Sequence, residues 1–295
     1  MEQQHMFTNR MIRNLLVPVV LEQILNSIMG TADTMMVSNV GSAALSAVSL
    51  VDSINVLLIQ AFSALAAGGA IVCAQYIGQR NYEKANMSAR QVLFIITAIS
   101  VAVSAVCLIF QKPLLRLIFG AVDADVMRAS ETYFFFTALS FPFIAAYDSA
   151  ASIFRAQENT KGPMTISMIS NVMNIGGNAV LIWVFHLGVA GAAISTLVSR
   201  IFCAVVVLWQ LRKDRQPVVV KDYLKIRPDW SMIGRILGLG IPSGIENSMF
   251  QLGKLAIQST VSTLGTAAIA AQAMTNILEN LNGIAAIGVG VGLMT

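Results

Sequence analysis

Charge is what this sequence is shortest of. Asp, Glu, Lys and Arg make up 12% of its 295 residues, about half the share usual in soluble domains, which excludes an ordinary water-facing globular surface. Histidine occurs twice, at His5 and His186, each near a predicted helix end, so no catalytic dyad can be built from it. Cysteine occurs three times, and Cys73, Cys107 and Cys203 fall in three different apolar runs. An odd number inside a bilayer argues for free thiols, not a disulfide framework or thiolate metal site. No nucleophile–base set or metal-ligand cluster appears, so enzymatic chemistry is not expected. The net charge of +4 comes without a basic helix interleaved with aromatics, and no nucleic-acid partner is expected.

Apolar residues are abundant instead: 56% of the chain, with mean hydropathy +0.71. They form runs at residues 14–37, 44–74, 92–110, 133–154, 164–185, 189–211, 236–264 and 267–294, each of the roughly 17–25 residues or more that a spanning helix needs. The second is long enough to tilt or extend beyond the bilayer. The runs are continuous and do not alternate, which disfavours a β-barrel. The first exceeds a signal-peptide core and is followed by further spans. The expectation is an all-α integral membrane protein with eight spans and the lipid bilayer as its surroundings. Fourteen Lys and Arg fall on the side holding the N-terminus, against Lys112, Arg116 and Arg128 on the other. By the positive-inside rule the N-terminus is cytoplasmic and the chain a multi-pass protein of the inner (cytoplasmic) membrane.

Sliding the chain on itself by 224 residues reveals a repeat. Pro18 falls on Pro242, Glu22 on Glu246, Val37-Ser38 on Val261-Ser262, Gly41 on Gly265 and Gly68 on Gly292, and "GSAALSA" overlies "GTAAIAA". Six spans separate the copies, so both enter the membrane from the same side, as in parallel-repeat transporters. The expected organisation is an N-terminal six-helix lobe at 1–211, a charged cytoplasmic linker at 212–231, and the first two helices of a second lobe at 232–295. A second lobe of six spans would need four more, so the sequence reads as C-terminally incomplete.

Polar residues inside these runs are costly in lipid and mark functional candidates. Glu22, Asn26 and Asp33 stand at i, i+4 and i+11, which places them on one face of the first helix. Ser167, Asn171, Asn174 and Asn178 repeat the device on the fifth. Singly, each Asn could serve only as inter-helix glue, worth about 0.6 kcal/mol. Depth separates some of them from that reading. At 1.5 Å per residue, Asp33, Asn178 and Thr196 lie ~9, ~11 and ~12 Å inside the outer ends of their helices. One carboxylate, two amides and a hydroxyl at a common level suit a monovalent cation or a proton. Asp52, Asn55 and Asp148 are candidates for lining the same lobe or for helix glue. Glu246 is read as opening a helix after Pro242, where an acid favours the helix dipole. Lys254 and Arg200 could each pair with an acid. Fifteen Met suit an adaptable apolar cavity or simply fill the core.

The stretches "GTADTMMVSNVGSAALSAVSL", "AQYIGQRNYEKA", "IFRAQENTKGPM", "NVMNIGGNAVLIWVFHLGVAGAAISTLVSR" and "GIPSGIEN…LGTAAIAAQ" run in the order found in multidrug and toxic compound extrusion (MATE) transporters, which this chain resembles over nearly its whole length. The resemblance implies a twelve-helix, two-lobed antiporter that exchanges Na⁺ or H⁺ for small cationic or amphipathic drugs by alternating access. No cofactor beyond that coupling ion is implied, and a monomer is expected. It places the first-lobe cation site on Asp33, Asn174, Asn178 and Thr196, with Na⁺ as the only metal. Some members carry a second-lobe acid where this chain has Phe250, which weakens a carry-over to Glu246. Two rivals stay open: a lipid-linked oligosaccharide flippase of the same superfamily, whose cavity should be cationic, and a non-transporting fragment with a structural role.

Overall fold

The computed structural model describes residues 9–120, 122–213, 217–220, 227–276 and 278–279. Those residues are helical apart from turns and short connections, with no strand among them. The helices are α1 (Asn9–Ser38), α2 (Ser42–Gly78), α3 (Tyr82–Ile109), α4 (Gln111–Phe119), α5 (Ala124–Leu139), α6 (Phe141–Ala156), α7 (Lys161–Asn178), α8 (Gly188–Leu211) and α9 (Trp230–Ser262). A π-helical turn, Ala179–Val184, extends α7, and a further helical segment begins at residue 266. The eighth expected span lies largely outside the described residues.

Among the described residues, α2, α3, α7 with its π turn, and α8 are long and apolar enough to cross a membrane, and α5 with α6 adds a fifth bent span. Helices α1 and α9 have the length, at 30 and 33 residues. Their interior polar residues dilute their hydropathy.

The fourth apolar run is not the single straight helix its composition suggests. It breaks between α5 and α6 with a 43° bend. Pro142 has no N–H to give the Ala138 carbonyl, and that carbonyl accepts instead from Ser104 Oγ of α3 at 2.7 Å. A broken helix is tolerated in a membrane only when its freed backbone groups find partners. Ser140 Oγ, at the break, donates to the Thr137 carbonyl at 2.6 Å and accepts from Arg200 Nη1 of α8 at 2.7 Å.

Helix α7 turns its polar face inward and an apolar face outward. On α7, Ser167, Ser170, Asn171, Asn174 and Asn178 are buried, while Ile169 and Val172 on the opposite face are 45% and 68% exposed. Lipid explains this pattern, because apolar faces gain nothing by leaving it and helices associate through close packing and hydrogen bonds. Small residues therefore line the contacts. A Cβ on Gly68 of α2 would lie 2.5 Å from the Gly240 backbone nitrogen of α9, and one on Gly240 would lie 2.9 Å from Leu65 Cα. The two helices run antiparallel, with Arg235 donating to Tyr76 Oη at 2.8 Å, and just past the end of α9 Ser46 of α2 donates to the Thr266 carbonyl at 3.0 Å.

The 224-residue offset reappears in the structure. Helices α1 and α9 end in register at Ser38 and Ser262, and each carries its proline internally. Gly41 and Gly265 follow, both at positive φ (142° and 97°), and each precedes a new helix. Glu246 is therefore not the helix-opening acid that Pro242 suggested. Helix α9 starts twelve residues before that proline, capped by Asp229, whose side chain accepts from the Ser231 and Met232 amides. Within the expected linker, Val218 and Val220 are buried, and the Val218 and Val219 amides donate to Gln157 and Asn86. This part of the linker is docked on the bundle. All three cysteines are buried free thiols.

Candidate cation site

Asp33 lies five residues before the end of α1, half-buried against α7. Asn178 Nδ2 donates to its Oδ1. Asn174, one turn earlier on α7, satisfies its neighbours best with its NH₂ 2.7 Å from Asp33 Oδ1 and 3.2 Å from Oδ2, and its oxygen accepting from Thr196 Oγ1 at 3.3 Å. Amide nitrogen and oxygen are assigned from such networks. The opposite orientation would set an amide oxygen against a carboxylate oxygen. Thr196 comes from α8, where its hydroxyl also reaches the Ala192 carbonyl at 3.0 Å. Ser195 Oγ donates to the Asn174 carbonyl at 2.8 Å and sits directly against Gly177, which holds α8 close to α7. The π turn begins immediately after Asn178, and such turns recur beside functional residues. Asn178 is fully buried, and its Oδ1 has no hydrogen-bond partner among the described residues.

The four residues drawn from three helices thus meet. The others distribute around them. Asp52 Oδ1 accepts from Asn55 Nδ2 at 3.1 Å and from Tyr133 Oη at 3.2 Å, and it lies within charge–charge range of Asp33. Arg200 lies within that range of Asp33, Asp52 and Asp148. Toward the other end of the bundle, Glu22 is 7% exposed and accepts from Tyr147 Oη at 3.1 Å, with Arg155 and Asp148 in electrostatic reach. The interior network therefore holds four carboxylates against two guanidinium groups, a balance that favours cations. Asn171 is buried on α7 and engaged. The Asn26 side chain lies outside the described residues. Glu246 is exposed on α9. Lys254 pairs with Glu279 at 2.7 Å and sits 5.2 Å from the Phe250 ring centroid; neither residue is part of the Asp33 cluster. Among the described residues no group of three His, Cys, Asp or Glu could hold a metal ion.

Sequence reasoning missed Tyr133 and Tyr147. A tyrosine in an apolar run signals little until the helix it faces is known.

An open-sided cavity of about 330 Å³ lies between α2 and α9, lined by Ala61, Leu65, Ile241, Gly244, Met249 and Leu252 among others. Its walls are almost wholly apolar.

The MatE family model matches residues 18–180, more than half of the chain. Among curated proteins the chain is 28% identical to "Uncharacterized transporter YisQ" of Bacillus subtilis (strain 168), over 88% of this chain and 57% of that protein. It is 27% identical to "Probable multidrug resistance protein YoeA" of the same strain, over 94% and 61%. Among solved structures it superposes on the MATE multidrug transporter DinF-BH with TM-score 0.89, at 22% identity, covering 97% of this chain and 64% of that one. An inward-facing MATE transporter of the MOP superfamily gives TM-score 0.82 at 21% identity, covering 96% and 64%. The chain spans about three-fifths of the length of the curated relatives it matches.

Proposed function

Because the chain belongs to the MatE family of membrane transporters, we propose that it exchanges Na⁺ or H⁺ for small cationic or amphipathic drugs by alternating access, with Asp33 as the coupling group. The observation that carries this reading is the convergence of Asn174, Asn178 and Thr196 on one interior carboxylate. The chain would act as a monomer, for which Asp33, Asn174, Asn178 and Thr196 already build the cluster. The charge count favours an N-terminus in the cytoplasm, and the in-register ends of α1 and α9 favour two lobes related by a parallel repeat.

The Asn174 amide supplies a two-state element. With Asp33 ionised and alone, both amide NH₂ groups point at the carboxylate. When a proton or Na⁺ occupies the carboxylate, the Asn174 amide turns. Its oxygen then faces the newcomer, its NH₂ faces Thr196 Oγ1, and Asn178 Oδ1 gains the positive partner it lacks. The turn alters how α1 is held to α7, and a site can bias a conformational equilibrium only through such a differential contact. The apolar cavity between α2 and α9 suits the hydrophobic body of an amphipathic substrate. The excess of carboxylates speaks against a pyrophosphate-bearing lipid carrier.

In everted vesicles carrying the intact protein, Asp33→Asn should reduce drug export at least ~10-fold, as loss of a charge-assisted interaction of about 1.5–3 kcal/mol implies, with normal membrane insertion. Full export by that variant would overturn the coupling role of Asp33.

A further inference from the structure

We propose that the cavity between α4 and the start of α5 holds the phosphate of an anionic phospholipid headgroup. This cavity measures about 600 Å³, and its lining includes Lys112, Arg116, Arg128 and Glu131. Among the described residues, those three cations are the basic complement of the end of the bundle where α1 terminates, the side that the positive-inside rule leaves poor in charge. They are not scattered over its loops. All three line one cavity.

One cation is already matched. Lys112 Nζ lies 3.7 Å from Glu131 Oε2. Arg116 and Arg128 have no carboxylate partner among the described residues. The nearby acids do not fill the gap, since the Asp123 carboxylate accepts from Thr266 Oγ1 and Asp125 is exposed and outside the lining. Two unmatched guanidinium groups lining one open-sided cavity, one from α4 and one from α5, suit the oxygens of a phosphate, which they bind through paired N–H bonds.

A membrane lipid is favoured over a dissolved ion by what surrounds the cavity. Helix α4 buries Leu115 and Phe119 but leaves Leu117 85% exposed, with Ile109 and Phe110 at 73% and 53% just before it. A short helix with cations beside an exposed apolar face lies in the headgroup–acyl boundary. A phosphate in the cavity would then have its acyl chains over that face.

The test needs no flux and stands apart from the transport reading. The full chain, purified in detergent, is mixed with equal amounts of phosphatidylglycerol and phosphatidylcholine of matched chain length, and retained lipid is read by native mass spectrometry. Preferential retention of phosphatidylglycerol is expected, falling about fivefold for each arginine removed in Arg116→Gln and Arg128→Gln. Arg128→Gln alone, at an exposed position, reads in the same direction if the double variant is poorly folded. Equal retention of the two lipids, or an unchanged preference in the variants, overturns the proposal. Inorganic phosphate displacing phosphatidylglycerol at equal concentration would also overturn the lipid assignment and give the cavity to a soluble anion.

Discussion

Asn178 carries a buried acceptor without a partner beside a carboxylate, and such an atom loses roughly 1–3 kcal/mol by its isolation. A bound cation would recover that loss. Asn178→Ala should therefore weaken any sodium- or acid-dependent rise in Tm, on top of a loss of roughly 1–3 kcal/mol without the ion from the broken hydrogen bond to Asp33. Arg200 answers a different need. It lies within electrostatic reach of three interior carboxylates and donates to Ser140 Oγ, and Arg200→Met should destabilise the protein by about 1–3 kcal/mol, as loss of a buried hydrogen-bond partner does. A second change, Asp52→Asn, should restore part of that stability in a denaturation series. The Asp33 cluster was legible in the sequence because helical spacing and depth both follow from residue number. The tyrosines that cap Asp52 and Glu22 were not, since their role depends on which helices touch.

At the scale of the helix, the break between α5 and α6 shows how a composition signal can hide a bend. Residues 133–154 form one apolar run, and Pro142 alone did not indicate where its freed carbonyl would turn. The partner is Ser104, from another helix. Ser104→Ala would leave the Ala138 carbonyl bare and should cost roughly 1–3 kcal/mol in unfolding experiments, more than a surface serine would. Helix α4 was missed for the opposite reason: nine residues are too few to span a membrane, and the sequence reading sought only spans. Glu246 was misplaced because Pro242 looked like a helix start, whereas the helix passes through it.

For the whole molecule, the repeat was the informative signal, because shared Pro, Glu and Gly positions survive in apolar sequence where chance matches abound. The contact between α2 and α9 was not legible, since neither glycine names its partner. It makes a sharp prediction. Gly68→Ala would press a methyl against the Gly240 backbone, 2.5 Å from its nitrogen and 2.6 Å from its Cα, and should lower stability by about 1–3 kcal/mol, as overpacking does. Gly176→Ala, inside α7 with open space at its Cβ, is the matched control and should hold Tm or raise it slightly, since Ala is favoured over Gly in a helix by about 0.5–1 kcal/mol.

That bare crossing also limits how the protein can move. Where Gly68 meets Gly240 the two backbones touch directly, with the Leu65 side chain against Gly240. Such a point resists being pulled apart or slid lengthwise, since the Arg235–Tyr76 hydrogen bond ties the same pair of helices. The two rods would then shift as one body, with the freer excursions left to helices farther from this seam.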